Sequence, residues 1–251
     1  MIIDELLDCI KDELGKREVK DVRIGLSYTG VLLDNDSLGL AYSFSQETNR
    51  CCEVTDSAGN LEGDAWNLAK MAGNSQAVDS SIGVATINAV MNRNPEGDEG
   101  DLLDFMELNE GDKIGMVGWF GPLVDELSND FDLYIFERNP RDRDVYPDWA
   151  AERILPDMDA CIITGTSVVN ETIDRLLELS SDAREVAVLG PTTPLSESVF
   201  GEHGATLLGG MVVEDVDKAL KIISQGGGTR KLGTVSKKVT IDIPPRDEYI
   251  Y

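Results

Sequence analysis

Asp112-Lys-Ile-Gly-Met-Val-Gly-Trp-Phe-Gly-Pro-Leu123, with Asp132-Leu-Tyr-Ile-Phe-Glu137 behind it, is the stretch that decides the fold. Lys113 to Val117 is the short apolar run that a buried parallel strand needs, and Gly118-Trp-Phe-Gly121-Pro122 breaks it. Pro122 suits the first turn of a helix, because the amide it lacks would be unpaired there. Leu123, Val124 and Leu127 give that helix an apolar face, and Leu133 to Phe136 form the next strand. Glu137 closes this second strand roughly 20 residues beyond Gly118, where an acid can accept from a ribose hydroxyl. This is the layout of a mononucleotide-binding half. The full Gly-x-Gly-x-x-Gly is missing, since Gly115, Gly118 and Gly121 fall at intervals of three and Gly115 belongs to the strand. A Rossmann-like wall is expected; a dinucleotide is not specified.

Downstream the same rhythm continues. Helical patterns over Trp149–Leu155, Val168–Leu179, Leu195–Phe200 and Glu214–Ser224 alternate with strands over Asp159–Thr164, Val186–Leu189 and Ala205–Leu208. Strands alternating with helices imply a parallel sheet covered on both faces. Val-Thr-Ile-Asp-Ile in the tail after Thr229 reads as an added edge strand.

Upstream the pattern changes. Residues 1–15 form an amphipathic helix with Ile3, Leu6, Leu7, Ile10 and Leu14 on one face. Val19–Tyr28, Val31–Leu33 and Leu38–Phe44 alternate as strands around the turn Asp34-Asn-Asp-Ser, an antiparallel meander. Residues 45–62 are polar and unassigned. Trp66–Met71 and Ala77–Met91 read as helices, the second weakened by Gly83. Asn92-Arg-Asn-Pro-Glu-Gly-Asp-Glu-Gly100 is the most linker-like stretch. The expected architecture is α/β: a small α+β domain over 1–95, then a Rossmann-like parallel-sheet domain with a C-terminal tail over 96–251.

The 251 residues carry 47 acids against 22 bases, a net charge of −25. Duplex DNA and anionic membrane surfaces would repel such a chain, and no local basic patch is read, so neither nucleic acid nor membrane is expected as a partner. Cys9, Cys51, Cys52 and Cys161 form no Cys-x-x-Cys, and no signal peptide or long apolar run is read. A soluble, cytoplasmic protein is expected. Homo-oligomerisation is compatible with the sequence.

In an open parallel sheet, the loops at the carboxyl ends of the strands line the ligand crevice. Four such loops are rich in small residues: Gly118-Trp-Phe-Gly121, Thr164-Gly-Thr-Ser167, Gly190-Pro-Thr-Thr193 and Gly209-Gly210. Glycine admits a ligand close to the backbone and hydroxyls donate or accept, although small residues also make tight turns. Asn170 could reach a ligand or cap a helix, and Glu171 beside it would repel a phosphate. Glu137 is the best single polar candidate, against an exposed strand-end acid. Trp119 and Phe120 offer stacking surfaces, against core packing. His203, the only histidine, reads as an exposed loop residue. Cys51-Cys52 is too closely spaced for usual structural zinc patterns, while a divalent hard cation held by oxygens is unplaced. Without a Gly-x-Ser-x-Gly elbow, a Ser-His-Asp hydrolase is not expected.

Taken together, Ile24-Gly-Leu-Ser-Tyr-Thr-Gly-Val31, Gly39-Leu-Ala-Tyr42, Ser81-Ile-Gly-Val-Ala-Thr-Ile-Asn-Ala89, Met116-Val-Gly-Trp-Phe-Gly-Pro-Leu123, Glu137, Thr164-Gly-Thr-Ser-Val-Val-Asn-Glu-Thr172, Gly190-Pro-Thr-Thr-Pro-Leu195 and Gly209-Gly210 resemble the putative heavy-metal chelation family. That family pairs an enolase-N-terminal-like domain with a Rossmann-like one. The resemblance implies a cleft where the first domain meets the strand ends of the second. It also implies a role with metals, metal-binding small molecules, or pterin- or flavin-like compounds. By position it carries over Asn88 from the first domain. From the second it carries over Gly118, Phe120, Glu137, Thr164, Gly165, Thr166, Asn170, Gly190, Pro191 and Thr192; Trp119 and Gly209 join them from the loops above. Glu171 stands where the family pattern leads one to expect glycine. Soft metal ligands are almost absent, which favours handling an organic chelator over trapping a metal. The expected ligand is thus a small molecule or metal chelate, with a nucleotide-like ligand or S-adenosylmethionine for a transferase, and a metal carrier as the third reading. No residue stands out as nucleophile or general base, so catalysis is left open.

Overall fold

The computed structural model describes residues 1–45, 55–140 and 144–244. Cys51 and Cys52 lie outside the described residues. Helix α1 (Ile2–Leu14) buries Ile2, Ile3, Leu6, Ile10 and Leu14 along one stripe. Strands β1 (Glu18–Ile24), β2 (Tyr28–Leu33), β3 (Leu38–Tyr42) and β4 (Gly63–Asp64) make an antiparallel sheet ordered β3-β2-β1-β4. The strand expected over Val19–Tyr28 stops at Ile24, and Tyr28 opens β2 instead. Leu26, which continues the alternation, sits in the intervening bend and is exposed.

Helix α2 (Ala65–Ala69) is capped by the Asp64 carboxylate and runs into a 3-10 turn, Lys70–Gly73. Helix α3 (Ala77–Met91) is buried almost all round, as a helix through a core must be. Its inward-facing hydroxyls are bonded: Thr86 Oγ1 donates to the Ile82 carbonyl, and Ser80 Oγ lies within 2.8 Å of the Ala72 carbonyl and 2.7 Å of the Val169 carbonyl. Gly83 does not weaken this helix by accident. A Cβ there would lie 1.9 Å from the Ala72 nitrogen, so its absence lets α3 and the 3-10 turn touch backbone to backbone.

The second sheet contains β5 (Asp98–Glu99), β6 (Lys113–Val117), β7 (Asp132–Glu137), β8 (Val145–Pro147), β9 (Ala160–Thr164), β10 (Glu185–Leu189), β11 (Leu207–Val213) and β12 (Ser236–Asp242). Their order is β5-β12-β11-β10-β9-β6-β7-β8, and β6 to β11 are mutually parallel. Counted from β6, the parallel strands lie 3-2-1-4-5-6, the doubly wound order, with its reversal between β6 and β9. Helices α4 (Gly121–Leu127), α5 (Ala151–Ile154), α6 (Thr166–Val169), α7 (Ile173–Leu179), α8 (Glu197–Glu202), α9 (Val216–Ser224) and α10 (Thr229–Leu232) fill the connections.

Four expectations are corrected. The linker-like stretch contributes β5, which pairs with β12. β12 is therefore flanked on both sides, by β11 and β5, and is not the edge. The helix expected over Val168–Leu179 is two helices, because Glu171 adopts φ 58° between them. Gly209-Gly210 is not a loop: β12 pairs with β11 along its whole length, so β11 runs past the end of β10 to Val213. One apolar core runs through both halves, from Ile2 to Ile243. On the other face of the first sheet, α9 sets Ala219, Leu220 and Ile223 against Tyr28, Leu38 and Leu40. No helix among the described residues is long and apolar enough to cross a membrane.

Candidate functional site

Three neighbouring strands end within one residue of the same level, each on a glycine. The amide of Gly118 donates to the Phe136 carbonyl, that of Gly165 to Leu189, and that of Gly190 to Gly209, adding one rung beyond β6, β9 and β10. Gly118 (φ 99°) and Gly190 (φ 131°) then turn through backbone conformations that side-chain-bearing residues rarely adopt. Above this rim opens a cleft of about 1230 Å³.

The rim is internally braced. Ser167 Oγ donates to the Thr164 carbonyl (2.6 Å), and the hydroxyls of Thr164 and Thr166 lie 3.1 Å apart. Asn170 Oδ1 accepts from both the amide (3.2 Å) and the hydroxyl (2.7 Å) of Thr172, the residue that opens α7. That turn forces Glu171 into its left-handed conformation, which explains why glycine would suit the position.

The first half of the chain grips the rim through the Gly190–Leu195 loop. Asn88 Nδ2 donates to the carbonyls of Leu40 (2.8 Å) and Thr192 (2.9 Å). Asn92 spans the same loop like a strand partner: its Nδ2 donates to the Thr193 carbonyl (2.9 Å) and its Oδ1 accepts from the Leu195 amide (2.8 Å). The Tyr42 amide donates to Thr192 Oγ1 (3.0 Å). From this side Tyr28, Tyr42 and Phe44 present an aromatic wall to the cleft, packed edge to face at 6.0 and 4.9 Å. The Tyr28 hydroxyl pairs with Thr229 Oγ1 (2.7 Å), and burial pushes its pKa up to about 12.

Of the residues expected at the site, Gly118, Trp119, Phe120, Glu137, Thr164, Thr166, Asn170, Gly190, Pro191, Thr192 and Gly209 line the cleft. Asn88 and Gly165 do not. Asn88 is buried as a clamp between the halves, and a Cβ on Gly165 would lie 2.4 Å from Thr193 Oγ1, so that glycine lets two loops meet. Sequence reading missed Asn92, the three aromatics of the first half, and Trp149 on the rim. Asn92 looked like linker, and nothing local marks it as the partner of a loop a hundred residues away.

The cleft is acidic. Among the described lining residues seven carboxylates face three cations, and each cation is engaged. Arg175 pairs with Glu152 (2.8 Å) and Glu178 (2.9 Å), Lys238 with Asp101, and Arg138 with Asp148 (3.9 Å) and the Phe44 ring (5.9 Å to its centre). The Arg175 hydrogen bond holds the Glu152 carboxyl below its usual range.

Models of two families, both described as putative heavy-metal chelation, match residues 7–91 and 101–242. An uncharacterized protein of Methanocaldococcus jannaschii is 31% identical over 97% of this chain and 98% of its own. The chain belongs to the putative heavy-metal chelation family. Two solved structures of the DUF364 family, both of proteins of unknown function, are similar to it throughout. The one from Desulfitobacterium hafniense has a TM-score of 0.81 at 30% identity, covering 96% of this chain and 98% of that one. The one from Pyrococcus horikoshii has a TM-score of 0.86 at 27% identity, covering 97% and 100%.

The heavy-metal chelation family's description invites a metal, but the donor set among the described residues does not fit one. Among the described residues no group of three or more His, Cys, Asp or Glu could hold an ion. Cys9 and Cys161 do not line the cleft, and burial pushes the Cys161 thiol up to about 11, away from the thiolate a soft metal needs. His203 is also outside the cleft; rather than standing free in a loop, its Nε2 lies 2.9 Å from the Glu5 carboxylate.

Proposed function

We propose that this protein binds a small polar organic molecule, a metal chelator or a pterin- or flavin-like ring, between the aromatic wall of residues 1–95 and the glycine rim of residues 96–251. The observation behind this reading is the cleft itself: about 1230 Å³, walled by aromatics on one side and glycine turns on the other. Such a volume suits an organic ligand rather than a bare ion. Transformation of the ligand, in place of simple binding, is part of the proposal only as an activity to assay.

The test is a thermal-shift panel of pterins, flavins, metal chelators and divalent metals, with and without one another. A ligand at 100 times its dissociation constant adds about 2.7 kcal/mol. In a chain of this size that raises the melting temperature by roughly 5–10 °C. Stabilisation by metals alone, with none from any organic compound, would discard this reading in favour of a metal carrier.

A second reading, a nucleotide- or S-adenosylmethionine-dependent transferase, is favoured by one observation. β6 is the first strand of the 3-2-1-4-5-6 order, Gly118 ends it, and Glu137 ends the second strand beside it. Loss of an adenosyl-ligand shift in Glu137→Ala supports it; an unchanged shift removes Glu137 from the site.

A further inference from the structure

We infer that the ligand is a phosphate-free nucleoside bearing an organic cation, a sulfonium, and that the cleft discriminates by charge. This deepens the nucleoside reading and rests on it.

Register places the groups. Val117 pairs with Phe136 and Glu137 with Pro147, so Gly118, Glu137 and Pro147 stand level on three adjacent strands. One residue further on are Trp119 and Asp148, and next to Asp148 is Trp149. Adjacent strands are about 4.8 Å apart, so the backbone at Gly118, Glu137 and Pro147 spans roughly 10 Å, and Trp119, Glu137, Asp148 and Trp149 all line the same cleft. Both indoles belong to the cleft yet remain exposed, Trp119 by 49% and Trp149 by 71%. Exposed aromatic faces beside carboxylates are the chemistry that receives a poorly hydrated organic cation. The cleft already holds one such contact within itself, Arg138 over Phe44 beside Asp148.

The same wall turns away phosphate. All three cationic side chains of the described lining are committed to carboxylates, and Glu126 on α4 adds to the excess of acid. The helices starting at this rim, α4 and α6, have seven and four residues, too short to offer an anion much dipole. A polyphosphate would be desolvated against a wall that holds more carboxylates than cations among its described residues.

S-Adenosylmethionine, S-adenosylhomocysteine and ATP share adenosine and differ in charge, so calorimetric titration of the full chain at 50 mM NaCl separates the ideas. The expected result is S-adenosylmethionine tighter than S-adenosylhomocysteine by at least about tenfold, the ratio that 1.4 kcal/mol of charge interaction gives, with no saturable heat from ATP. That ratio should shrink at 0.5 M NaCl. It should also shrink in Asp148→Asn, which keeps the acceptor for the Trp149 amide, and in the exposed Glu126→Gln. Equal affinity for the sulfonium and the thioether, or binding of ATP, overturns the charge inference and leaves the nucleoside reading standing. No binding by any of the three overturns both, while the organic-ligand reading is decided by the panel above.

Discussion

Replacing Asn92 by alanine should loosen the joint between the two halves of the chain. Asn92 is 6% exposed, Thr193 is fully buried and Leu195 is 6% exposed, so water cannot replace what the side chain supplies. The alanine leaves the Thr193 carbonyl and the Leu195 amide without partners, each at about 1–3 kcal/mol. Together the loss is about 3–4 kcal/mol, or roughly 6–15 °C in melting temperature for a chain of this length. Aspartate separates this account from simple loss of bulk. Asn92→Asp keeps an acceptor for Leu195 but sets a buried, charged oxygen against the Thr193 carbonyl, so at neutral pH it should be worse than alanine. Its carboxyl would be raised in the folded state, because only the protonated form can donate to that carbonyl. Stability would then be greater at low pH and lost as pH rises through the folded-state pKa. Calorimetric melts at pH 5 and pH 8 read both effects. A melting temperature for Asn92→Ala within 1–2 °C of wild type, taken as the scatter of about half a kcal/mol, refutes the clamp. So does an aspartate variant as stable as alanine at pH 8.

Three further outcomes can be checked by melting or denaturant titration. Gly83→Ala should destabilise by about 2 kcal/mol or more, since its Cβ would meet the Ala72 backbone at 1.9 Å; helix propensity alone would give about 1 kcal/mol of opposite sign. Glu171→Gly should stabilise by about 1 kcal/mol by relieving a left-handed residue, and no gain would mean that the turn at Asn170 carries no strain. Tyr28 keeps its proton up to about pH 12 when folded, whereas an unfolded tyrosine loses it near pH 10. The folded state therefore binds more protons in that window, and stability should fall between pH 10 and 12 by about 2–3 kcal/mol. Tyr28→Phe should flatten that alkaline decline while losing about 1 kcal/mol at neutral pH with the bond to Thr229.

The parts legible in the sequence are those written locally. α1 and α3, the apolar runs of β6, β7, β9 and β10, and the acid ending β7 follow from periodicity and turn residues within a few positions. Features set by distant partners were not legible. Val168 to Leu179 keeps its apolar spacing across a break that only the Asn170–Thr172 turn imposes. Gly209-Gly210 resembles a loop because nothing nearby announces that β12 will arrive to extend the strand. Gly83 looks like a weak point until Ala72 is seen against it. At the site, the glycines and threonines of the rim could be found from their motifs, but their division of labour could not. Asn88 and Gly165 hold parts together, whereas Trp149 and the Tyr28–Tyr42–Phe44 wall reach the cleft from elements far away in the chain.

The placing of β12 between β5 and β11 has a consequence for biosynthesis. Residues 98–99 have no strand partner until residues 239–240 emerge from the ribosome. The edge of β11 waits for the same late arrival, as do the Lys237–Glu99 and Lys238–Asp101 pairs. The nascent chain thus carries an open sheet margin until β12 is made, and such margins are where intermediates stick to one another. Termination before β12 is made would leave two unpaired borders, at β5 and at β11.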